Sequence, residues 1–265
     1  MVKFTVIGGD ASSDLAKRIA RRLKAPYVKT ERKVFPDGES KITINHIPKK
    51  SIVVVVQSTY PPVDTNLLEL LSIVSKVQKF SSKIYTVIPY MGYARQDREF
   101  LDGEIITIGV VGKLLKASGV KKVLTVDIHS KLALKELKIS SENVSAMEGL
   151  VKHFKKMKMK DPLVVSPDLG GQERAKEFAS LLKTGSIALK KHRDRKTGKV
   201  NIISEKVVVK NRDLIIVDDM ISTGGSIIKA TQFLKRQKCK RVFVACTHAL
   251  LVNNAAKKIK NAGVS

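Results

Sequence analysis

"LIIVDDMISTGGSI", Leu214 to Ile227, carries a buried-type strand straight into a polar turn. Leu214, Ile215, Ile216 and Val217 form an unbroken apolar run, which suits a strand covered on both faces of a parallel sheet. The run ends in two adjacent carboxylates, Asp218 and Asp219. Ser222, Thr223, Gly224, Gly225 and Ser226 follow, and then "GSIIKATQFLKRQ" (225–237), whose apolar residues recur at helical spacing. Strand, small-residue turn and helix in that order form one unit of an open α/β sheet. In such sheets ligands bind outside the carboxyl ends of the strands.

The residue types in this turn define a ligand. A Ser-Thr-Gly-Gly-Ser turn opening a helix offers hydroxyls, backbone N–H groups and the positive end of the helix dipole, which together suit a phosphate. Glycine permits the close approach that a Cβ would block. The two carboxylates do not suit phosphate. They suit the two hydroxyls of a ribose ring, or a metal ion bridging to them. Phosphate on one side and a diol on the other describe a sugar phosphate.

Working outward, strand-length apolar runs alternate with helix-period segments. "FTVIGG" (4–9), "IVVVVQ" (52–57), "IYTVIPY" (84–90) and "KVLTVDI" (122–128) are expected strands, with helices over "LAKRIARRL" (15–23), a segment led by Asp64 as its cap, and "IITIGVVGKLLKAS" (105–118). The pattern restarts at "PLVVSPD" (162–168) and continues through "QERAKEFASLLK" (172–183), "SIALKK" (186–191), "LIIVDD" (214–219), "RVFVACT" (241–247) and "NNAAKKIKNA" (253–262). The expected fold is α/β, with two similar domains over 1–145 and 146–265. Each is a mainly parallel sheet flanked by helices. The polar stretch "LKISSENVSAMEGL" (137–150) reads as a connection. "LLKASGVKKVLTVDIH" in the first half and "KKIKNAGVS" at the end share a helix and a glycine turn, so the second unit is expected to lack its last strand.

Composition narrows the class. The chain has 265 residues, 43% of them hydrophobic, enough for one large core or two modest ones. It has no apolar run of membrane-spanning length and no signal-peptide pattern, and its two cysteines, Cys239 and Cys246, cannot build a disulfide framework. A cytoplasmic protein is expected. Lys and Arg number 50 against 24 Asp and Glu, a net +26, which favours anionic ligands. Aromatics are only 5%, without Trp, which counts against nucleic acid as the partner. The basic runs "KHFKKMKMK" (152–160) and "KKIK" (257–260) read as solvated faces.

The remaining odd polar residues cluster after strands, in "PYMGYARQDR" (89–98), "VDIHS" (126–130), "SPDLGGQERAK" (166–176) and "KKHRDR" (190–195), and "FPDGES" (35–40) is a further polar motif. "IIVDDMISTGGS" resembles the phosphoribosyl diphosphate-binding fingerprint of the type I phosphoribosyltransferase fold. The whole set, in order along the chain, resembles the ribose-phosphate diphosphokinases. That resemblance implies transfer of the diphosphoryl group of ATP to O1 of ribose 5-phosphate, with Mg²⁺ as cofactor. It implies Lys191 and Arg193 as the catalytic cations, on a mobile basic loop able to close. It implies an ATP pocket of Phe35, Asp37, Gly38, Glu39, Arg95, Gln96, Asp97 and Arg98, with Phe35 stacked on adenine. Ribose 5-phosphate would be held by Asp218, Asp219 and residues Ser222, Thr223, Gly224, Gly225 and Ser226, and the metal by His129 and Asp168. Ser222 stands where the family often has Asp, and serine keeps the turn and its backbone donors. The resemblance further implies a homo-oligomer, because the "FPDGE" loop comes from a neighbouring subunit. The alternative is a non-catalytic regulatory or nucleic-acid-binding protein on the same fold. Such a protein could lose Lys191, Arg193, His129 or Asp168, and all four are present.

Overall fold

The computed structural model describes residues 4–46, 52–193, 200–202 and 207–265. The chain divides into two units, Met1–Val144 and Ser145–Ser265.

The first unit is a seven-stranded sheet built from β1 (Phe4–Gly8), β2 (Tyr27–Val34), β3 (Ser40–Ile44), β4 (Ile52–Val56), β5 (Ile84–Ile88), β6 (Val120–Val126) and β7 (Ser141–Val144). Their order is β3-β2-β1-β4-β5-β6-β7, all parallel except the β2–β3 hairpin. The helices are α1 (Ser13–Leu23), α2 (Val63–Gln78), α3 (Thr107–Ala117) and α4 (Lys131–Glu136). Val53 and Val55 face one core with Ile73, Val77 and Leu115, while Val54 and Val56 face Ala16 and Ala20 of α1. Burial on both faces explains the unbroken valines of β4.

The second unit holds α5 (Met147–Lys155), β8 (Leu163–Ser166), α6 (Gln172–Leu182), β9 (Gly185–Ala188), β10 (Lys191–Arg193), β11 (Val200–Ile202), β12 (Asp213–Ile221), α7 (Gly225–Arg236), β13 (Arg241–Ala249) and α8 (Ala255–Asn261). Its parallel sheet runs β13-β12-β8-β9, with β10–β11 a separate antiparallel pair. Leu214 and Ile216 pack toward Leu234 and Ile259, whereas Ile215 and Val217 pack toward Phe154 and Phe178. The orders β5-β4-β1-β2 and β13-β12-β8-β9 correspond strand for strand, so both units wind alike.

Three sequence expectations change. Residues 137–150 are not a plain connection: they contain β7, which pairs with β6, and the start of α5. β7 is four residues of "SENV", mostly exposed, so no apolar alternation announces it. The run from Lys152 is not only a solvated face, since Phe154 of α5 is buried edge-on against Phe178 and Phe243 at 5.7 and 6.3 Å. Asp64 does not cap α2, whose N-cap is Pro62; its carboxylate accepts from the Tyr93 hydroxyl instead. Among the described residues no helix is long and apolar enough to cross a membrane.

Candidate active site

β12 delivers its acids asymmetrically. Asp219 is buried, with its side chain 5% exposed, while that of Asp218 is 21% exposed. The Asp219 amide donates to Asp218 Oδ1 at 3.0 Å. Burial, and then the hydrogen bond and charge of Asp219, push the Asp218 carboxyl up to about 7. An acid in that position is held at the edge between accepting and donating hydrogen bonds, and a neighbouring donor decides which.

The turn beyond the acids is open. Thr223, Gly225 and Ser226 are exposed and Ser222 is half-buried. Gly224 takes a left-handed φ of 77°, and an added Cβ would lie 2.8 Å from Ile259 Cδ1. Glycine is therefore required here both by backbone conformation and by the approach of α8. No side chain caps α7, and no acid lies in its first turn. The positive end of a twelve-residue helix thus faces outward beside two carboxylates.

β8 lies next to β12, so its carboxyl end adds to the same rim. Ser166 Oγ donates to the Asp168 carbonyl at 2.6 Å, and the Gly171 amide donates to Asp168 Oδ1 at 3.1 Å. An added Cβ on Gly171 would meet Ser166 Oγ at 2.6 Å, so this glycine lets α6 begin tight against the strand end. Arg174, in the first turn of α6, reaches back toward both acids of β12, with Nη1 3.8 Å from Asp218 Oδ1 and 3.6 Å from Asp219 Oδ1. Cys246, the register partner of Asp218 on β13, has its thiol pushed up to about 11 by burial and by the two acids, so it packs as a neutral group.

Lys191 and Arg193 stand on β10, in register with Ile202 and Val200 of β11. The rest of the basic loop, residues 194–199, lies outside the described residues.

In the first unit, Phe35 to Glu39 form the tip of the β2–β3 hairpin. The Phe35 amide donates to the Glu39 carbonyl at 2.8 Å and the Glu39 amide to Asp37 Oδ1 at 3.1 Å. Gly38 supplies the φ of 93° that the turn needs. Phe35 is 37% exposed, with Lys33 Nζ 5.4 Å from its ring centre, so it is not a core aromatic. Arg95 to Arg98 follow β5. Arg95 and Gln96 are exposed, and Gln96 Oε1 accepts from Thr107 Oγ1 at 2.5 Å. Asp97 is buried; it accepts from the Ser130 hydroxyl and from Arg98 Nε at 3.0 Å, contacts that hold its carboxyl below the usual range. His129 is exposed after β6. The hairpin and the Arg95 segment follow strands three positions apart in the sheet, about 14 Å at the usual strand spacing. The two expected nucleotide segments therefore extend from separate, non-adjacent strands of the unit.

Two features went unread in the sequence. One is Arg174. The other is the counterpart of the acid pair in the first unit, where β4 ends in Gln57. There Gln57 Oε1 accepts from the Ala11 amide at 3.2 Å, Gln57 Nε2 donates to Glu69 Oε2 at 3.1 Å, and Glu69 Oε1 accepts from the Asp10 amide at 2.9 Å. Arg32 closes the network on Asp10 at 2.9 Å. The turn that follows contains Pro61 and Pro62, which have no N–H to offer. In the first unit this network occupies the strand end where the second unit carries its acid pair, and a cavity of about 540 Å³ opens beside it, lined by residues that include Asp10, Ser12, Ser58, Tyr60 and Pro89.

The family model for the N-terminal domain of ribose phosphate pyrophosphokinase matches residues 4–119, and that for the phosphoribosyl transferase domain matches residues 135–263. The chain is 37% identical to a ribose-phosphate pyrophosphokinase of Sulfurisphaera tokodaii, covering 98% of this chain and 89% of that one. It is 38% identical to the enzyme of that name in Vibrio cholerae, over 98% and 84% of the two chains. A crystal structure of phosphoribosylpyrophosphate synthetase from Mycobacterium smegmatis superposes with a TM-score of 0.88 at 26% identity, covering 99% of this chain and 86% of the other.

Proposed function

Because the chain belongs to the ribose-phosphate pyrophosphokinase family, we propose that it makes 5-phosphoribosyl 1-diphosphate for nucleotide biosynthesis. The diphosphoryl group of ATP passes to O1 of ribose 5-phosphate and AMP leaves. The observation that carries this reading is the end of β12: two acids of unequal exposure running into an uncapped helix start.

The 5-phosphate sits against the 222–226 turn, where amides, hydroxyls and the α7 dipole meet its charge. The ribose hydroxyls donate to Asp218, and Asp219 supports that carboxylate from beneath. With the sugar fixed at both ends, O1 is presented to the β-phosphorus in one orientation, and positioning of this kind supplies much of the rate. Lys191 and Arg193 neutralise charge on the transferring group and on the departing AMP oxygen. Phe35, Asp37, Gly38 and Glu39 from one copy, with Arg95, Gln96, Asp97 and Arg98 from another, hold ATP. The separation of these segments within one unit supports a shared site and a homo-oligomer. Asp97 contributes by fixing the segment through Ser130 and Arg98, leaving Arg95 and Gln96 to face the nucleotide.

Among the described residues no three His, Cys, Asp or Glu side chains form a ready metal cage. Asp168 carries a hard carboxylate oxygen at the rim of the second unit and would suit an Mg²⁺ held largely by substrate phosphates, and His129 of the first unit is the other residue that the family resemblance assigns to the metal. When bound, the ion neutralises phosphate charge. The cytoplasm, where ATP and sugar phosphates are available, is the proposed compartment.

The direct test is AMP formation from ATP and Mg²⁺ with and without ribose 5-phosphate. Strict dependence on the sugar phosphate is expected. AMP formation that ignores it, or none at all, would overturn the assignment.

A further inference from the structure

Arg174 is placed where helix physics disfavours it. It lies in the first turn of α6, where a cation meets the positive end of the helix dipole. What compensates is the acid pair, with Nη1 3.8 Å from Asp218 Oδ1 and 3.6 Å from Asp219 Oδ1. The arginine side chain is 24% exposed, so these contacts are shielded on most sides and are worth more than surface pairs.

Both distances exceed hydrogen-bonding length. The guanidinium therefore compensates the charge of both carboxylates without saturating either, and Asp218 keeps acceptor positions for a ligand.

We propose that Arg174 is a positioning residue for ribose recognition, orienting the Asp218 and Asp219 carboxylates as acceptors for the sugar hydroxyls. This rests on the assignment of Asp218 to the ribose. Arg174 acts through the acids and does not touch the diphosphate, so its loss weakens sugar binding without slowing the chemical step.

The test uses the full chain with Arg174→Lys, Arg174→Gln, Asp218→Asn and the Arg174→Gln/Asp218→Asn double variant. Ribose 5-phosphate affinity is measured by calorimetry without ATP, alongside steady-state AMP formation and Tm. R174Q is expected to weaken ribose 5-phosphate binding and raise its KM about tenfold or more, with KM for ATP and kcat at saturating sugar within about threefold of wild type. R174K keeps a charge but not the fork, so it falls between. In the D218N background R174Q adds less than about twofold, because both changes remove one interaction. Unchanged sugar affinity in R174Q with only a lowered Tm would overturn the proposal, as would effects that multiply with D218N. If the wild type binds ribose 5-phosphate yet forms no AMP, the synthetase assignment fails while calorimetry still decides the role of Arg174. If the wild type does not bind the sugar phosphate, both fail.

Discussion

The amide of Asp219 donates to the Oδ1 of Asp218 at 3.0 Å, so the buried acid organises its more exposed neighbour. The two are therefore not interchangeable. Asp218→Asn should raise KM for ribose 5-phosphate by about ten- to a hundredfold, with little change in Tm, since a charged acceptor becomes a neutral amide at a partly open position. Asp219→Asn should lower Tm as well, because its side chain is enclosed. Thermal denaturation beside sugar-dependent AMP assays checks both, and equal Tm losses would contradict the asymmetry.

Ribose binding should depend on pH. The Asp218 carboxyl is pushed up to about 7, and it must be ionised to accept both ribose hydroxyls. Affinity should thus fall as pH drops through that value. The sugar phosphate also titrates near there, so the comparison is with Asp218→Asn, whose affinity profile should be flatter. Parallel profiles in the two proteins would contradict the role given to Asp218.

Gly224→Ala tests the turn. The left-handed φ of 77° and the approach of Ile259 Cδ1 to 2.8 Å of a Cβ both oppose a side chain. Stability should fall by more than about 1 kcal/mol, and ribose 5-phosphate affinity should fall with it as the amides shift. Chemical denaturation and calorimetry read the two effects.

Asp213 anchors the opposite end of β12, fully buried and paired with Arg241 at 2.6 Å, while also accepting from the Lys160 amide. Arg241 holds its carboxyl below the usual range. A depressed native pKa gives stability that is present above the unfolded value of about 3.9 and lost as pH falls through the native one. Asp213→Asn should cost about 2–3 kcal/mol at pH 7, by leaving the pair unbalanced, and should reduce the acid sensitivity of unfolding. Urea denaturation from pH 7 down to pH 3 follows both.

Lys191→Ala should cut turnover much more than ribose 5-phosphate affinity, because charge on the transferring group develops in the transition state. Single-turnover rates and sugar binding measured together check this. Equal losses in both would mean that Lys191 binds the ground state.

Much of this could be read from residues alone, for local reasons. Leu214 to Val217 are apolar because β12 is covered on both faces, and Asp218 stands out against that run. Gly224 is legible because few other residues adopt its backbone conformation. What stayed hidden depends on partners distant in sequence. β2, "YVKTERKV", carries charges because half of its residues face solvent, so no apolar alternation marks it. β7 is defined by its pairing with β6. Arg174 appears in a quoted motif, but only the fold brings α6 beside β12. Its one sequence clue was a cation in the first turn of a helix. The Gln57–Glu69 network at the equivalent strand end of the first unit joins residues from four separate segments and leaves no local pattern.

The central claim is that the turn beyond Asp219 cups the 5-phosphate while Asp218 grips the sugar. A crystal structure with ribose 5-phosphate tests it most directly. The account predicts phosphate oxygens within hydrogen-bonding distance of the 222–226 amides and hydroxyls, and ribose hydroxyls on the Asp218 carboxylate. A sugar phosphate bound at the strand ends of the first unit, or bound in reverse with its phosphate away from α7, would contradict it.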